Sequence, residues 1–131
     1  DPLPPVMLDR SRMGLALAHL LDNAVKFTPS GGAVTVSAMI TPSRRTLEIS
    51  VKDTGIGIPN EMLPKIFDRF FQIDVSKTRL HGGMGMGLAL VKAICDAHGF
   101  SVSAESLLER GTTVRMVIPF ESLQVEPYAS R

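Results

Sequence analysis

The order of its elements predicts an α/β fold, a two-layer α/β sandwich in which one mixed, mostly antiparallel sheet carries its helices on a single face. Three observations lead there. Apolar residues recur at helical spacing in two stretches, shorter segments alternate with the period of a strand, and glycine- and proline-rich turns divide the chain into the order β, α, ββ, α, α, ββ. At 131 residues, 44% of them hydrophobic and 21% charged, the chain can close one domain around one core.

Val6 to Leu8 reads as a short edge strand, and Asp9 as the N-cap of a helix running to about Phe27 with Leu17, Leu20, Leu21 and Ala24 on its apolar face. Thr28-Pro-Ser-Gly-Gly32 ends that helix. Ala33 to Ile40 and Thr46 to Lys52 alternate as an antiparallel hairpin that turns at Thr41-Pro-Ser-Arg-Arg45. Pro64 suits the first turn of a short helix through Phe70, because proline there gives up only an amide that has no helical partner. Phe71 to Met84 keeps neither period and reads as a mobile functional loop, a lid. Met86 to His98 is a second amphipathic helix, with Leu90, Val91, Ile94 and Cys95 inward and Gly99 as its stop. Phe100 to Glu105 and Thr112 to Pro119 form a closing hairpin around Leu108-Glu-Arg-Gly111. One domain is therefore expected over residues 1–120, followed by a frayed tail over 121–131.

A formal net charge of +1 provides no electrostatic pull toward nucleic acid or an anionic membrane, and no apolar run is long enough to span a bilayer. The single cysteine, Cys95, has no partner for an internal disulfide, and the chain carries neither a signal peptide nor paired metal-ligand spacings. A reducing, cytoplasmic setting is expected. The opening Asp1-Pro-Leu-Pro-Pro5, without a methionine, reads as a cut made inside a longer protein.

Three separated segments suggest one nucleotide site: His19-Leu-Leu-Asp-Asn-Ala-Val-Lys-Phe27, Val51-Lys-Asp-Thr-Gly-Ile-Gly-Ile-Pro59 and Gly82-Gly-Met-Gly-Met-Gly-Leu-Ala-Leu90. Asp53 stands at the end of an apolar strand, followed by Gly55 and Gly57, with Ile58 available to line a ring. An ionised carboxylate only accepts hydrogen bonds, so it can take the exocyclic amino proton of adenine and is mismatched with the carbonyl oxygen of guanine. The plainer reading is an aspartate that opens an Asp-Thr-Gly turn. His19, Asn23 and Lys26 form one helical stripe; Asn23 offers an amide oxygen to magnesium and Lys26 a charge to a phosphate, unless Lys26 merely pairs with Asp22 one turn back. Gly83, Gly85 and Gly87 lead into a helix, where unpaired amides and the positive helix end suit phosphates. No phosphate-loop Gly-Lys-Ser or Gly-Lys-Thr is present, which points away from the common nucleoside triphosphatases.

With these segments in hand, the chain resembles the catalytic ATP-binding (HATPase) domain of sensor histidine kinases, within the gyrase, Hsp90, histidine kinase and MutL ATPase family. His19 to Thr28 is similar to the N box, Asp53-Thr-Gly-Ile-Gly57 to the first glycine box, Ile66-Phe-Asp-Arg-Phe-Phe71 to the F box, Gly83 to Leu88 to the second glycine box and Gly111-Thr-Thr113 to the last, shorter one. The F box separates histidine kinases from gyrase and Hsp90. The resemblance implies a Bergerat fold with ATP and Mg2+ held under the lid. Carried over residue by residue, Asn23 holds the metal, Lys26 a phosphate, Phe27 one side of the adenine and Asp53 its amino group, while the Gly83 to Leu88 amides meet the phosphates and Thr112 joins through water. Phe27 is equally well read as a helix-terminal core residue. Lys77 and Arg79 are lid cations within reach of a triphosphate, or simply solvated. Two residues depart from the pattern: His19 replaces the first asparagine of the N box, and Gln72 an arginine common after the F box.

The function so implied is supply of Mg-ATP for phosphorylation of a histidine. None of His19, His81 and His98 sits in the His-Glu or His-Asp context of the family's phosphoacceptor helix, so that histidine is expected on a separate dimerisation domain of the same parent protein. A response-regulator receiver domain would take the phosphate. The isolated domain is expected to be a monomer that contacts neither nucleic acid nor membrane. The rivals are an anti-sigma-type serine kinase of the same fold, whose lid usually lacks the F box, and a non-catalytic module acting through protein contacts.

Overall fold

A computed structural model describes residues 8–68 and 88–122. The first helix, α1 (Arg10–Lys26), starts where the sequence puts it: the Asp9 carboxylate accepts the Arg12 amide at 3.0 Å and satisfies one of the open donors of the first turn. Its buried stripe is Met13, Ala16, Leu20, Asn23 and Ala24. Leu21, expected inward, is 38% exposed, since it lies about 100° round the helix from Leu20 and so leaves that stripe.

Four strands follow as two hairpins, β1 (Val34–Thr41) with β2 (Thr46–Asp53) and β3 (Ser101–Leu107) with β4 (Gly111–Pro119). They assemble in the order β1-β2-β4-β3, and all three pairings are antiparallel. Residues 6–7, where a further edge strand is expected, lie outside the described residues, and Leu8 is in a bend. The turn between β1 and β2 is a 3-10 helix (Pro42–Arg44) closed by Arg45 in the left-handed region, φ 56°. At Pro64 the structure has one 3-10 turn, Leu63–Lys65, with proline in its first turn. That is shorter than the expected helix, whose last residues, 69–70, lie outside the described part.

The second helix, α2 (Leu88–His98), packs against α1 and the sheet. It ends as expected at Gly99: the Gly99 amide donates to the Asp96 carbonyl at 3.1 Å, and the Phe100 amide to the Cys95 carbonyl at 2.8 Å, which together close the last turn. One face of the sheet, carrying Leu47, Val51, Val114, Met116 and Ile118, joins Ala16, Leu20, Ala24, Val91, Ile94 and Cys95 in the core. The other face is polar, and there Arg115 bridges Glu48 at 3.1 Å and Glu105 at 2.8 Å across three strands. This is the expected two-layer arrangement.

One contact joins the start of α1 to the end of α2. The Asp9 amide donates to Nε2 of His98 at 2.8 Å, while Nδ1 of the same ring lies 2.8 Å from the Ile94 carbonyl. A carbonyl only accepts, so the proton sits on Nδ1 and the ring is neutral. No helix among the described residues is long and apolar enough to cross a membrane.

Candidate functional site

The last residue of β2 is Asp53, only 7% exposed, with Val51 buried on the same side two residues earlier. Its Oδ1 accepts the Gly55 amide at 2.9 Å and the Thr112 amide, from the start of β4, at 3.2 Å. Burial pushes its carboxyl pKa above the ordinary value, and the two amides pull partly the other way. The described residues bring no donor to Oδ2. A carboxylate with one oxygen pinned by backbone and the other unspent is an orienting acceptor.

The two glycines after Asp53 are required by the protein itself. A Cβ on Gly55 would fall 2.0 Å from the Phe27 carbonyl oxygen, which accepts the Ile56 amide at 3.1 Å. Gly57 has φ +77°, and a Cβ there would fall 2.2 Å from the Leu107 carbonyl oxygen. The sequence reading gives these glycines to close approach of a ligand; the structure uses them to press the turn against the end of α1 on one side and the β3–β4 hairpin on the other. Beyond them, Ile58 is buried and its amide donates to Oγ of Ser106 at 2.7 Å.

Between the helical layer and the end of the sheet lies a cleft lined by Leu20, Asn23, Ala24, Phe27, Val51, Asp53, Gly57, Ile58, Leu88, Thr112 and Val114. Its empty volume is about 380 Å³, which includes the part open to solvent. Only about 20 Å³ is wide enough for the centre of a water, so seating a purine requires the apolar walls to give. Seven of the expected site residues thus share one cavity: Asn23, Phe27, Asp53, Gly57, Ile58, Leu88 and Thr112.

The remaining expectations fall out in different ways. Gly55 supports the floor from behind, through Asp53 Oδ1. Lys26 is outside the lining; its Nζ pairs with Asp22 at 3.1 Å on the surface, where the two side chains are 37% and 61% exposed. Lys77, Arg79, Gly83, Gly85 and Gly87 lie outside the described residues, as do the lid and Gln72. His19 is half-buried on α1. Among the described residues no group of three or more histidine, cysteine or acidic side chains could hold a metal. A single amide oxygen such as that of Asn23 would suit Mg2+, which takes most of its other ligands from phosphate oxygens and water.

Sequence reasoning missed Ser106. It lies under the cleft wall, with its Oγ 2.8 Å from Oγ1 of Thr112 and 2.9 Å from the Gly111 carbonyl. The two residues are direct cross-strand partners in the β3–β4 pairing. No motif marks such a pair; only the register of the hairpin finds it.

A cleft between a helical layer and one end of an antiparallel sheet, apolar except for a pinned carboxylate and a few polar neighbours, has the make-up of a small-molecule site. The chain belongs to the histidine kinase-, DNA gyrase B-, and HSP90-like ATPase family, whose sequence model matches residues 8–122. It is 39% identical over 123 residues to the sensor histidine kinase WalK of Bacillus subtilis (strain 168), a match covering 94% of this chain and 20% of that protein. Among solved structures, full-length ShkA in complex with AMPPNP aligns with a TM-score of 0.78 and 31% identity, over 97% of this chain and 25% of that one. The histidine kinase ThkA in complex with the response regulator protein TrrA aligns with a TM-score of 0.65 and 28% identity, over 85% of this chain and 29% of the other. The chain spans a fifth or less of the length of the curated relatives it matches.

Proposed function

We propose that this chain is the ATP-binding catalytic domain of a cytoplasmic sensor histidine kinase unit, supplying Mg-ATP for phosphorylation of a histidine on a separate dimerisation domain. The observation that carries the reading is the shared cavity: Asp53 at its floor and Asn23 on its helical wall come from segments thirty residues apart and line one cleft. Names support the rest: the relatives are sensor kinases, one structural neighbour holds AMPPNP, and another is a kinase bound to a response regulator.

Asp53 orients the base by accepting its exocyclic amine. Phe27 and Ile58, both buried in the wall, cover the ring and exclude water. Asn23 contributes an oxygen toward the metal, and Lys26 reaches a phosphate after leaving Asp22. ATP brings the transferable phosphoryl group and Mg2+ the charge that balances its oxygens. Transfer of this kind depends mainly on positioning and electrostatics, so the domain needs no nucleophile of its own. His98 supports that view, because the Asp9 amide and the Ile94 carbonyl occupy both of its ring nitrogens. Lys77, Arg79 and the amides of Gly83, Gly85, Gly87 and Leu88 complete the phosphate end in this reading. The dimerisation domain of the parent protein and a response-regulator receiver are the partners it implies.

Calorimetry with Mg-ATP and Mg-GTP, followed by phosphotransfer to an added helical hairpin carrying an acceptor histidine, tests the proposal. Adenine-selective binding with labelling of the hairpin is expected. Binding without any labelling would leave a nucleotide-binding module and remove the kinase.

A further inference from the structure

We infer that Ser106 is a positioning residue for purine selectivity: it turns the Thr112 hydroxyl proton away from the cleft, so that Thr112 and Asp53 together present only acceptors to a 6-aminopurine. The inference rests on the adenine reading of the cleft proposed above.

A serine hydroxyl has one proton and two lone pairs. Oγ of Ser106 lies 2.9 Å from the Gly111 carbonyl, 2.7 Å from the Ile58 amide nitrogen and 2.8 Å from Oγ1 of Thr112. The carbonyl can only accept, so it takes the serine proton, and the amide can only donate, so it fills one lone pair. The second lone pair then receives the proton of Thr112. Oγ1 of Thr112 keeps its own lone pairs and nothing to give. Thr112 lines the cleft beside Asp53, whereas Ser106 shares with these two residues only the more open pocket at the β3–β4 end, so within the cleft the base meets the threonine and not the serine.

Selectivity follows from the same inventory. A 6-aminopurine carries two N–H groups at C6 for direct donation to these oxygens, and a 6-oxopurine carries none there. A free threonine hydroxyl could rotate its proton toward O6 and accept the wrong base. Held by Ser106, it cannot do so without breaking that hydrogen bond. Ser106 thus adds to the discrimination that Asp53 begins, from a position behind the wall.

The test compares affinities for ADP and for inosine diphosphate, which shares the sugar and phosphates and carries oxygen at C6, using isothermal titration with magnesium present. Wild type is expected to favour ADP. Ser106→Ala is expected to narrow the ratio by about tenfold, chiefly by gaining affinity for inosine diphosphate. Ser106→Thr, which keeps a hydroxyl, should restore the wild-type ratio, and Ser106→Cys, of similar volume but a weak hydrogen-bonding group, should narrow it if the alanine variant does not fold. On a Thr112→Val background the serine substitution should change nothing, because the rotor is gone. An unchanged ratio in the folded serine variants, or equal narrowing with and without the threonine hydroxyl, overturns the inference and leaves the adenine reading intact. Equal binding of the two nucleotides by wild type removes the adenine reading and the inference with it.

Discussion

The sheet wall of the cleft and the α1 surface outside it are built to different standards. On the sheet side, Asp53 is buried and fixed by two backbone amides, the turn after it is pressed between α1 and the β3–β4 hairpin, and Ser106 satisfies Thr112 from behind. On α1, outside the cleft lining, Lys26 pairs with Asp22 at the surface. A one-turn pair of this kind is worth only about 0.2–0.5 kcal/mol, so a phosphate can take Lys26 with little loss. Under the proposed function, the difference teaches that base recognition would be preorganised in the backbone, whereas charge recognition would fall to a surface side chain that must leave its present partner.

Variants that strike the preorganised side should have the larger effects. Gly55→Ala is the harshest, because its Cβ would overlap the Phe27 carbonyl, two backbone segments that cannot part cheaply. A loss of roughly 3 kcal/mol or more of folding stability is expected from such overpacking, measured by urea denaturation. A variant as stable as wild type would show that the turn is not braced in this way.

Asp53→Asn comes next. Losing a charged acceptor for the amino group should weaken ADP binding by about 10- to 100-fold, on the scale of hydrogen bonds to charged groups. The same change should raise the melting temperature of the ligand-free protein at neutral pH. The sign is as follows: the carboxyl pKa is raised in the fold, so its contribution favours folding below the ordinary carboxylate range and is lost as pH rises through the raised value. The melting-temperature gap between asparagine variant and wild type should therefore widen from acid toward neutral pH and then level off. A gap that is flat with pH would mean that burial does not penalise the charge.

On the exchangeable side the effects shrink. Lys26→Met should weaken Mg-ATP binding by about threefold to tenfold while leaving stability within a few tenths of a kcal/mol. Asp22→Asn should have the smallest effect, a slight gain in Mg-ATP affinity as Lys26 is released. A loss of affinity in Asp22→Asn would mean that the pair orders Lys26 for the phosphate.

The same contrast marks what could be read from the sequence. Asp53 was legible because a carboxylate at the end of an alternating run, followed by Gly55 and Gly57, already fixes a strand, its end and a turn. Both hairpins and both long helices were legible from period and punctuation, down to the Asp9 cap and the Gly99 stop, although Leu90, expected inward on α2, is 40% exposed. The inward face of α1 was less so: Leu17, Leu20, Leu21 and Ala24 fit a helical stripe as well as the observed Met13, Ala16, Leu20 and Ala24 do, and tertiary packing chose between them. Ser106 and the tie between Asp9 and His98 were invisible, since one needs strand register and the other joins residues far apart in sequence. The reason for Gly55 and Gly57 also lay out of reach, because the carbonyls they approach belong to other elements.

The central claim is that an adenine nucleotide enters the cleft between Asn23 and Asp53, and the most direct measurement is a titration of the isotopically labelled protein with Mg-ADP followed by amide NMR. The amides of Gly55 and Thr112, which both donate to Asp53, and that of Ile58 beside them should be among the most strongly shifted, and their shifts should vanish in Asp53→Asn at the same nucleotide concentration. Saturable shifts that leave these three amides in place would contradict the account.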